Sequence, residues 1–372
     1  MGKDTGGFEM KILHSTPTED GFFMPAEFER HSGCLMIWPE RADSWQYGAV
    51  EARKAFAEVA HAIAGSEKLT VFTSFEGYDT ARKMLGDHIR VIEMSSDDSW
   101  ARDVMPTFVK NSEGEIRGID WGFNAWGGLV DGLYFPWDKD NRMARKCCDL
   151  LEVDVYDKRA FIMEGGAVHV DGQGTAIVTE ACLLSRGRNP HMTKQEIESE
   201  LKKYLGVTKV IWLPCGIYLD ETNEHVDNIC AYVEVAHVVL AWTDDKNDPQ
   251  YNMSVKCLNV LENERDAQGR KIKVTKLPLP NPVYITKNEC DGLVDFDGEP
   301  TRKPGERLSA SYVNFYISNS AIIMPAFDDE HDAEAADILR NIFKGRKIIQ
   351  IQARNILIGG GNIHCITQQI PE

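Results

Sequence analysis

Apolar and polar positions along the chain recur with two periods. Spacings of three and four place Val50, Phe56, Val59, Ala60 and Ile63 on one side of 49–64, and Ile338, Leu339, Ile342 and Phe343 on one side of 332–343. A period near 3.6 predicts amphipathic helices there. A third helix is predicted over 193–205, opened by Thr193-x-x-Glu196, the pattern in which two side chains satisfy each other's backbone N–H groups. Apolar runs at 68–75, 89–94, 209–213, 229–242, 313–326 and 347–351 predict strands. Strand and helix alternate from end to end, which is an α/β arrangement.

A polar cluster returns beside these runs. It is His31-Ser32-Gly33-Cys34, then Trp100-Ala101-Arg102-Asp103, Glu164-Gly165-Gly166-Ala167, His225-Val226-Asp227-Asn228, Ser311-Tyr312-Val313-Asn314 and Gly361-Asn362-Ile363-His364-Cys365. Most intervals are roughly 60 to 70 residues, and several clusters lead into a strand, at 167–170, 229–235 and 315–317. Such a period predicts repeats stacked or arranged around an axis, with the polar ends meeting at one mouth. Residues 244–310, rich in Pro, Asp and Asn, are predicted to be surface excursions of the repeat that contains Asn314. Residues 1–20 are predicted to be a flexible or peripheral segment.

Composition narrows the classes. Of 372 residues, 43% are apolar and 27% charged, enough for a large core. The net charge of −17 argues against nucleic acid, whose phosphates need a basic surface; it would attract a small cation, and solubility alone also accounts for it. Nine cysteines without a Cys-x-x-Cys pair suggest neither a disulfide framework nor a thiolate zinc site. The opening Met1-Gly2-Lys3-Asp4-Thr5-Gly6 has no apolar signal region, and no run reaches membrane-spanning length. A cytoplasmic, reduced protein without membrane contact is expected.

Three segments carry candidate chemistry. On an extended segment His225 and Asp227 would point to one side, placing a proton carrier beside a cation-binding carboxylate. A solvated acidic loop, or less simply a His-x-Asp metal site, accounts for the same residues. Glu164 follows an apolar run and precedes two glycines, which permit close backbone approach to a ligand. Asp97, Asp98, Arg102 and Asp103 flank Trp100, and a solvated loop again explains both segments read singly. Cys365 follows Gly359-Gly360-Gly361-Asn362-Ile363-His364, where backbone N–H groups near a turn favour a thiolate. The other cysteines read as inert apolar residues.

Taken together, Trp38-Pro39-Glu40-Arg41, Trp100-Ala101-Arg102-Asp103, Met163-Glu164-Gly165-Gly166, Glu224-His225-Val226-Asp227-Asn228 and Gly359-Gly360-Gly361-Asn362-Ile363-His364-Cys365 resemble the agmatine deiminase family of the guanidino-group-modifying, or pentein, superfamily. The resemblance runs from about Met24 to Pro371, and chain length and tail motif look similar to the plant members. It implies a five-bladed pseudo-symmetric α/β propeller of ββαβ-type units around a central channel, with residues 1–372 forming one catalytic domain. It implies hydrolysis of agmatine to N-carbamoylputrescine and ammonia, a step toward putrescine and other polyamines, with no metal or organic cofactor. Cys365 would attack the guanidinium carbon, and His225 would act as acid and then base. Asp103 and Asp227 would hold the guanidinium nitrogens, and Glu164 would orient the group. Homodimers are common in that family.

A planar cationic fork is well gripped by paired carboxylates, and an ordinary thiol needs a neighbouring cation to ionise. The substrate's own charge can serve. The ammonium end of agmatine calls for acceptors and aromatic surface, and Trp100, Asp220, Glu221, Asp97 and Gly361 are the candidates for lining that path. Three other readings stay open: the same chemistry on arginine, methylated arginine or peptidyl-arginine; amidino transfer to an amine; and a non-catalytic cation-binding module.

Overall fold

The three predicted helices and most predicted strands are present in the computed structural model, which describes residues 8–295 and 301–372. The helices are Val50–Ala64, Lys194–Leu205 and Asp332–Ile342. Thr193 and Glu196 close their capping box, with the Thr193 N–H donating to the Glu196 carboxylate at 2.7 Å and the Glu196 N–H donating to the Thr193 hydroxyl at 3.3 Å. In the first helix Phe56, Val59, Ala60 and Ile63 are buried while Val50 is exposed. At 100° per residue Val50 lies about 120° around the axis from Phe56, off the apolar stripe.

Two long runs predicted as single strands are hairpins. Cys230–Glu234 and His237–Trp242 pair antiparallel about a turn in which Ala236 has φ 56°. Tyr316–Ile317 and Ala321–Ala326 pair likewise. The strands flanking both turns are largely buried, so apolar residues run on with too little polar punctuation to mark the reversal.

One unit recurs in five of the sheets: an antiparallel pair, then a helical crossover, then a parallel strand. Thr107–Lys110 pairs antiparallel with Ile116–Gly122, which pairs parallel with Val155–Ile162. His169–Val170, Thr175–Thr179 and Lys209–Leu213 repeat the pattern. So do Cys230–Glu234, His237–Trp242 and Lys273–Pro278, then Tyr316–Ile317, Ala321–Ala326 and Lys347–Gln352. The fifth sheet joins the chain ends: Gln368–Pro371 pairs antiparallel with His31–Ile37, which pairs parallel with Lys68–Thr73 and through it with Arg90–Glu93.

That closure corrects the reading of His31-Ser32-Gly33-Cys34. These residues are the inner strand of their sheet, with Cys34 buried, and the turn that leads into the sheet comes instead from residues 361–365. The reading of 244–310 also changes. Pro249–Asn263 is a helix that buries Gln250, Ser254, Cys257 and Leu261 and crosses over to Lys273–Pro278, within the His225 sheet and not the Asn314 sheet. Asp248 and Pro249, read as loop punctuation, are its N-cap and first residue: the Asp248 carboxylate accepts from Gln250 N–H at 2.9 Å. The excursion proper carries the pair Val283–Tyr284 and Arg307–Leu308 and the helix Lys287–Asp291. Of the segment 1–20, residues 1–7 lie outside the described residues, while Ile12–Leu13 pairs as an edge strand with Val155 and Tyr156.

Candidate active site

In each of the five sheets a tight turn feeds the first antiparallel strand, and the polar residues sit in those turns. Asp103 lies in Ala101–Val104, before Thr107–Lys110. Glu164 precedes the turn Gly165–Ala167, before His169–Val170. His225 is the N-cap of the short helix Val226–Ile229, and Asp227 lies in its first turn, before Cys230–Glu234. Both side chains reach the same spot beside Gly166 from the start of a helix, not through strand alternation as expected. Asn314 precedes Tyr316–Ile317, and Cys365 precedes Gln368–Pro371.

These turns bring together residues as far apart as positions 102 and 365: Arg102 N–H donates to the Cys365 carbonyl at 3.0 Å. The Cys365 thiol is buried, 3.7 Å from Asp227 Oδ2, and Asn314 Nδ2 donates to its sulfur at 3.3 Å. The Asn314 side-chain oxygen accepts from the His364 N–H at 2.9 Å, fixing the turn that carries the thiol.

Four buried groups complete the floor. Asp103 accepts from Gly166 N–H and from the Trp126 indole, both at 2.9 Å. His225 Nδ1 is 4.0 Å from Asp103 Oδ2, and its Nε2 is 3.6 Å from Glu164 Oε2. Arg188 Nε pairs with Glu164 Oε1 at 2.8 Å and ties in the neighbouring loops through the carbonyls of Trp126 and Thr222. Asp227 Oδ2 accepts from His364 at 2.8 Å, while Asp227 Oδ1 has no hydrogen-bond partner among the described residues. Gly166 is required at this packing: a Cβ there would sit 2.6 Å from His225 Nδ1, 2.9 Å from Asp227 Oδ2 and 3.0 Å from Asp103 Oδ1.

The charges act on one another through little solvent. Burial pushes the Cys365 thiol well above its ordinary pKa, Asp227 and Asp103 add to this, and the Asn362 backbone and Asn314 oppose it. The resting residue is therefore a thiol. Burial disfavours a charged His225, but Asp103, Cys182 and Glu164 outweigh it and hold its pKa well above the usual imidazole value. Burial, with Asp227 and Glu164 nearby, pushes Asp103 up to about 6 against the pull of His225. Asp227 stays below the ordinary carboxylate range despite burial, through His364, His225 and Arg102.

Above this floor a slot of about 350 Å³, including its open mouth, is lined by Trp100, Trp126, Leu133, Asp220, Thr222 and Gly359–Gly361. Trp100 is held by its indole N–H donating to Asp98 at 2.9 Å, and its ring lies over Gly361, where a Cβ would meet it at 2.4 Å. Asp220 lines the slot, with its oxygens taken by Thr222 and Asn228. Glu221 lies in an outer recess, in a bidentate pair with Arg302 at 2.6 and 2.8 Å. Asp97 lies outside both, because its carboxylate accepts the backbone N–H groups of Lys139 and Asp140. Its neighbour Asp98 is the one turned to the outer recess.

Sequence reasoning missed Trp126, Arg188, His364 and Glu27, and left Asn314 without a role. Asn314 holds the repeat position that carries a site residue in the other sheets, and Trp126 precedes Gly127-Gly128, as Glu164 precedes Gly165-Gly166. Arg188 and Glu27 stand in unremarkable contexts.

Among the described residues two clusters have metal-ligand proximity, Glu27 with His169 and His364, and Glu164 with Cys182 and His225. In the first, His364 spends both ring nitrogens on carboxylates and has no lone pair to offer. The second overlaps the His225–Glu164 and Glu164–Arg188 ion pairs.

Residues 23–371 match the family model of Porphyromonas-type peptidyl-arginine deiminases. An agmatine deiminase of Pseudomonas aeruginosa is 53% identical over 358 residues, which cover 96% of this chain and 97% of that protein. The chain belongs to the agmatine deiminases of that family. A solved agmatine deiminase of Enterococcus faecalis is 44% identical with a TM-score of 0.95, covering 98% of this chain and all of that one. The agmatine deiminase of C. jejuni, 22% identical with a TM-score of 0.79 over 94% of this chain and 96% of its own, shares the fold. These relatives are bacterial.

Proposed function

We propose that the chain hydrolyses agmatine to N-carbamoylputrescine and ammonia through a covalent amidino-Cys365 intermediate. The supporting observation is one slot lined by a thiol, an imidazole with a raised pKa and the carboxylates of Asp103 and Asp227, with Glu164 buried beside His225. Asp103 and Asp227 grip the guanidinium nitrogens by charge-assisted hydrogen bonds. Glu164 orients the group and supports His225. The bound cation offsets the carboxylates that hold Cys365 protonated, so the thiolate forms as substrate enters, its proton passing out to solvent.

The sulfur attacks the guanidinium carbon, the C–N bond to a terminal nitrogen breaks, and His225 gives its proton to the departing ammonia. His225, now neutral, takes a proton from water, which attacks the amidino carbon. The C–S bond breaks, the remaining hydroxyl proton passes to the departing sulfur and restores the resting thiol, and the urea product leaves. Each step uses only protein side chains and water.

Trp100, Gly361 and Asp220 line the path to the amine end, and the paired Glu221 stands at the outer recess. The repeated β-β-α-β unit and the pairing of the two chain ends support a single catalytic domain built as a five-bladed propeller. An experimental structure with Gln368–Pro371 detached from His31–Ile37 would count against it. Nine free cysteines suit a reducing cytoplasm, and no helix of the described residues is long and apolar enough to cross a membrane. The product places the reaction on a route to putrescine. A homodimer is the expected assembly, and sedimentation as a monomer would refute it.

The deciding experiment measures ammonia release from agmatine, arginine and an arginine peptide without added metal. Agmatine should have the highest kcat/KM, and a preference for arginine or the peptide overturns the substrate assignment.

A further inference from the structure

His364 precedes the nucleophile in the chain but makes its contacts beneath the slot. Its Nδ1 is 2.8 Å from Asp227 Oδ2 and its Nε2 is 2.7 Å from Glu27 Oε2, and all three side chains are buried. An ionised carboxylate only accepts hydrogen bonds, so the two contacts call for hydrogen on both ring nitrogens, the imidazolium form. Arg102 Nη2 is 3.4 Å from the same Glu27 oxygen, and its Nη1 donates to Gln369 at 2.5 Å. His169 stacks on the ring at 5.4 Å, Arg346 acts on Glu27, and His225, Asp103 and Cys365 lie on the slot side of Asp227. Glu27 thus supplies the countercharge that lets an imidazolium persist in a buried floor. The imidazolium in turn occupies Asp227 Oδ2 and leaves Oδ1 without a partner among the described residues, in a side chain that lines the slot.

Resting on the deiminase reading above, we propose that His364, clamped by Glu27, is the positioning residue for Asp227. It turns Oδ1 to the guanidinium, and its charge lets Asp227 remain ionised close to Asp103 and Glu164. Cys365 and His225 make and break the bonds; His364 acts through Asp227 alone.

The test compares pH profiles of kcat and KM for agmatine in the wild type, His364→Asn and Glu27→Gln, with folding checked by circular dichroism. Asn can still donate to Asp227 but carries no charge. The expected result is a raised KM with a smaller change in kcat, and an acid limb moved up by about one pH unit or more, so that activity partly recovers in alkali. Glu27→Gln should move the limb the same way by less. Wild-type profiles, or an equal loss at every pH as a packing role would produce, overturn the proposal. A measurement on the wild type stands apart from the variants: the ¹⁵N shifts of His364 should report two protonated nitrogens at neutral pH, and a neutral tautomer overturns the proposal. A wild-type enzyme inactive on agmatine would refute the deiminase reading and leave the nitrogen measurement standing.

Discussion

The indole N–H of Trp126 donates to Asp103 Oδ2 at 2.9 Å, in a site where Asp103 also has Asp227 and Glu164 as neighbouring negative charges. A hydrogen bond to a charged, buried acceptor contributes about 1.5–3 kcal/mol. Trp126→Phe keeps the ring packing and removes the donor. It should lower kcat/KM for agmatine by about 10- to 100-fold, mostly in KM. Unaltered steady-state constants would show that the indole N–H does nothing for Asp103.

The position of Asp103 at about 6 sets a pH dependence. Its grip on a cation needs the ionised form, so agmatine binding should weaken as pH falls through about 6, toward tenfold per unit. The sign for folding is opposite. Because the folded pKa exceeds the unfolded one, the folded state retains a proton that the unfolded chain has lost, and this group favours folding as pH falls through that window. Calorimetric titration of agmatine into Cys365→Ser, which cannot complete the reaction, reads the binding limb directly. An affinity flat between about pH 7 and 5 contradicts the assignment.

Gly166→Ala tests how closely the backbone must approach the site. Its Cβ would sit within 3.0 Å of His225, Asp227 and Asp103 atoms, and all three side chains are held by other contacts. We expect kcat/KM to fall by at least about 100-fold while the thermal transition moves by only a few degrees, since the clash displaces polar side chains and not the core. A variant with near wild-type kcat/KM would mean these groups have more room than their packing indicates.

Cys365→Ala and Cys365→Ser should lose at least about 10³-fold in kcat, because among the described residues no other thiol lines the slot. Intact-mass measurement of wild type quenched during turnover should find the amidino adduct, and peptide mapping should place it on Cys365. Retained turnover in either variant, or an adduct on another cysteine, removes the nucleophile from the mechanism.

Much of the site was legible because local chemistry concentrates in turns. Glu164 before two glycines, His225 with Asp227, and Cys365 after three glycines each announce a turn carrying a reactive side chain, and the near-regular spacing says that the turns are equivalent. What was hidden depended on pairing. Asp97 and Asp98 are indistinguishable by type, yet one accepts backbone N–H groups at residues 139–140 and the other holds the Trp45 and Trp100 indoles. Glu221 reads as a free acceptor until Arg302, 81 residues away, claims both of its oxygens.

Cys365 marks the same division. Period and polarity along the chain determine that a thiol, an imidazole and three carboxylates stand at the ends of successive apolar runs, because helix and strand formation are local. The protonation state of that thiol and the orientation of Asp227 were decided in three dimensions. They depend on desolvation and on charges brought near by pairing residues 368–371 with 31–35, which seats Glu27, Arg102 and His364 beneath the slot. Coulomb and burial terms act over a few ångströms of space, whatever the separation along the chain.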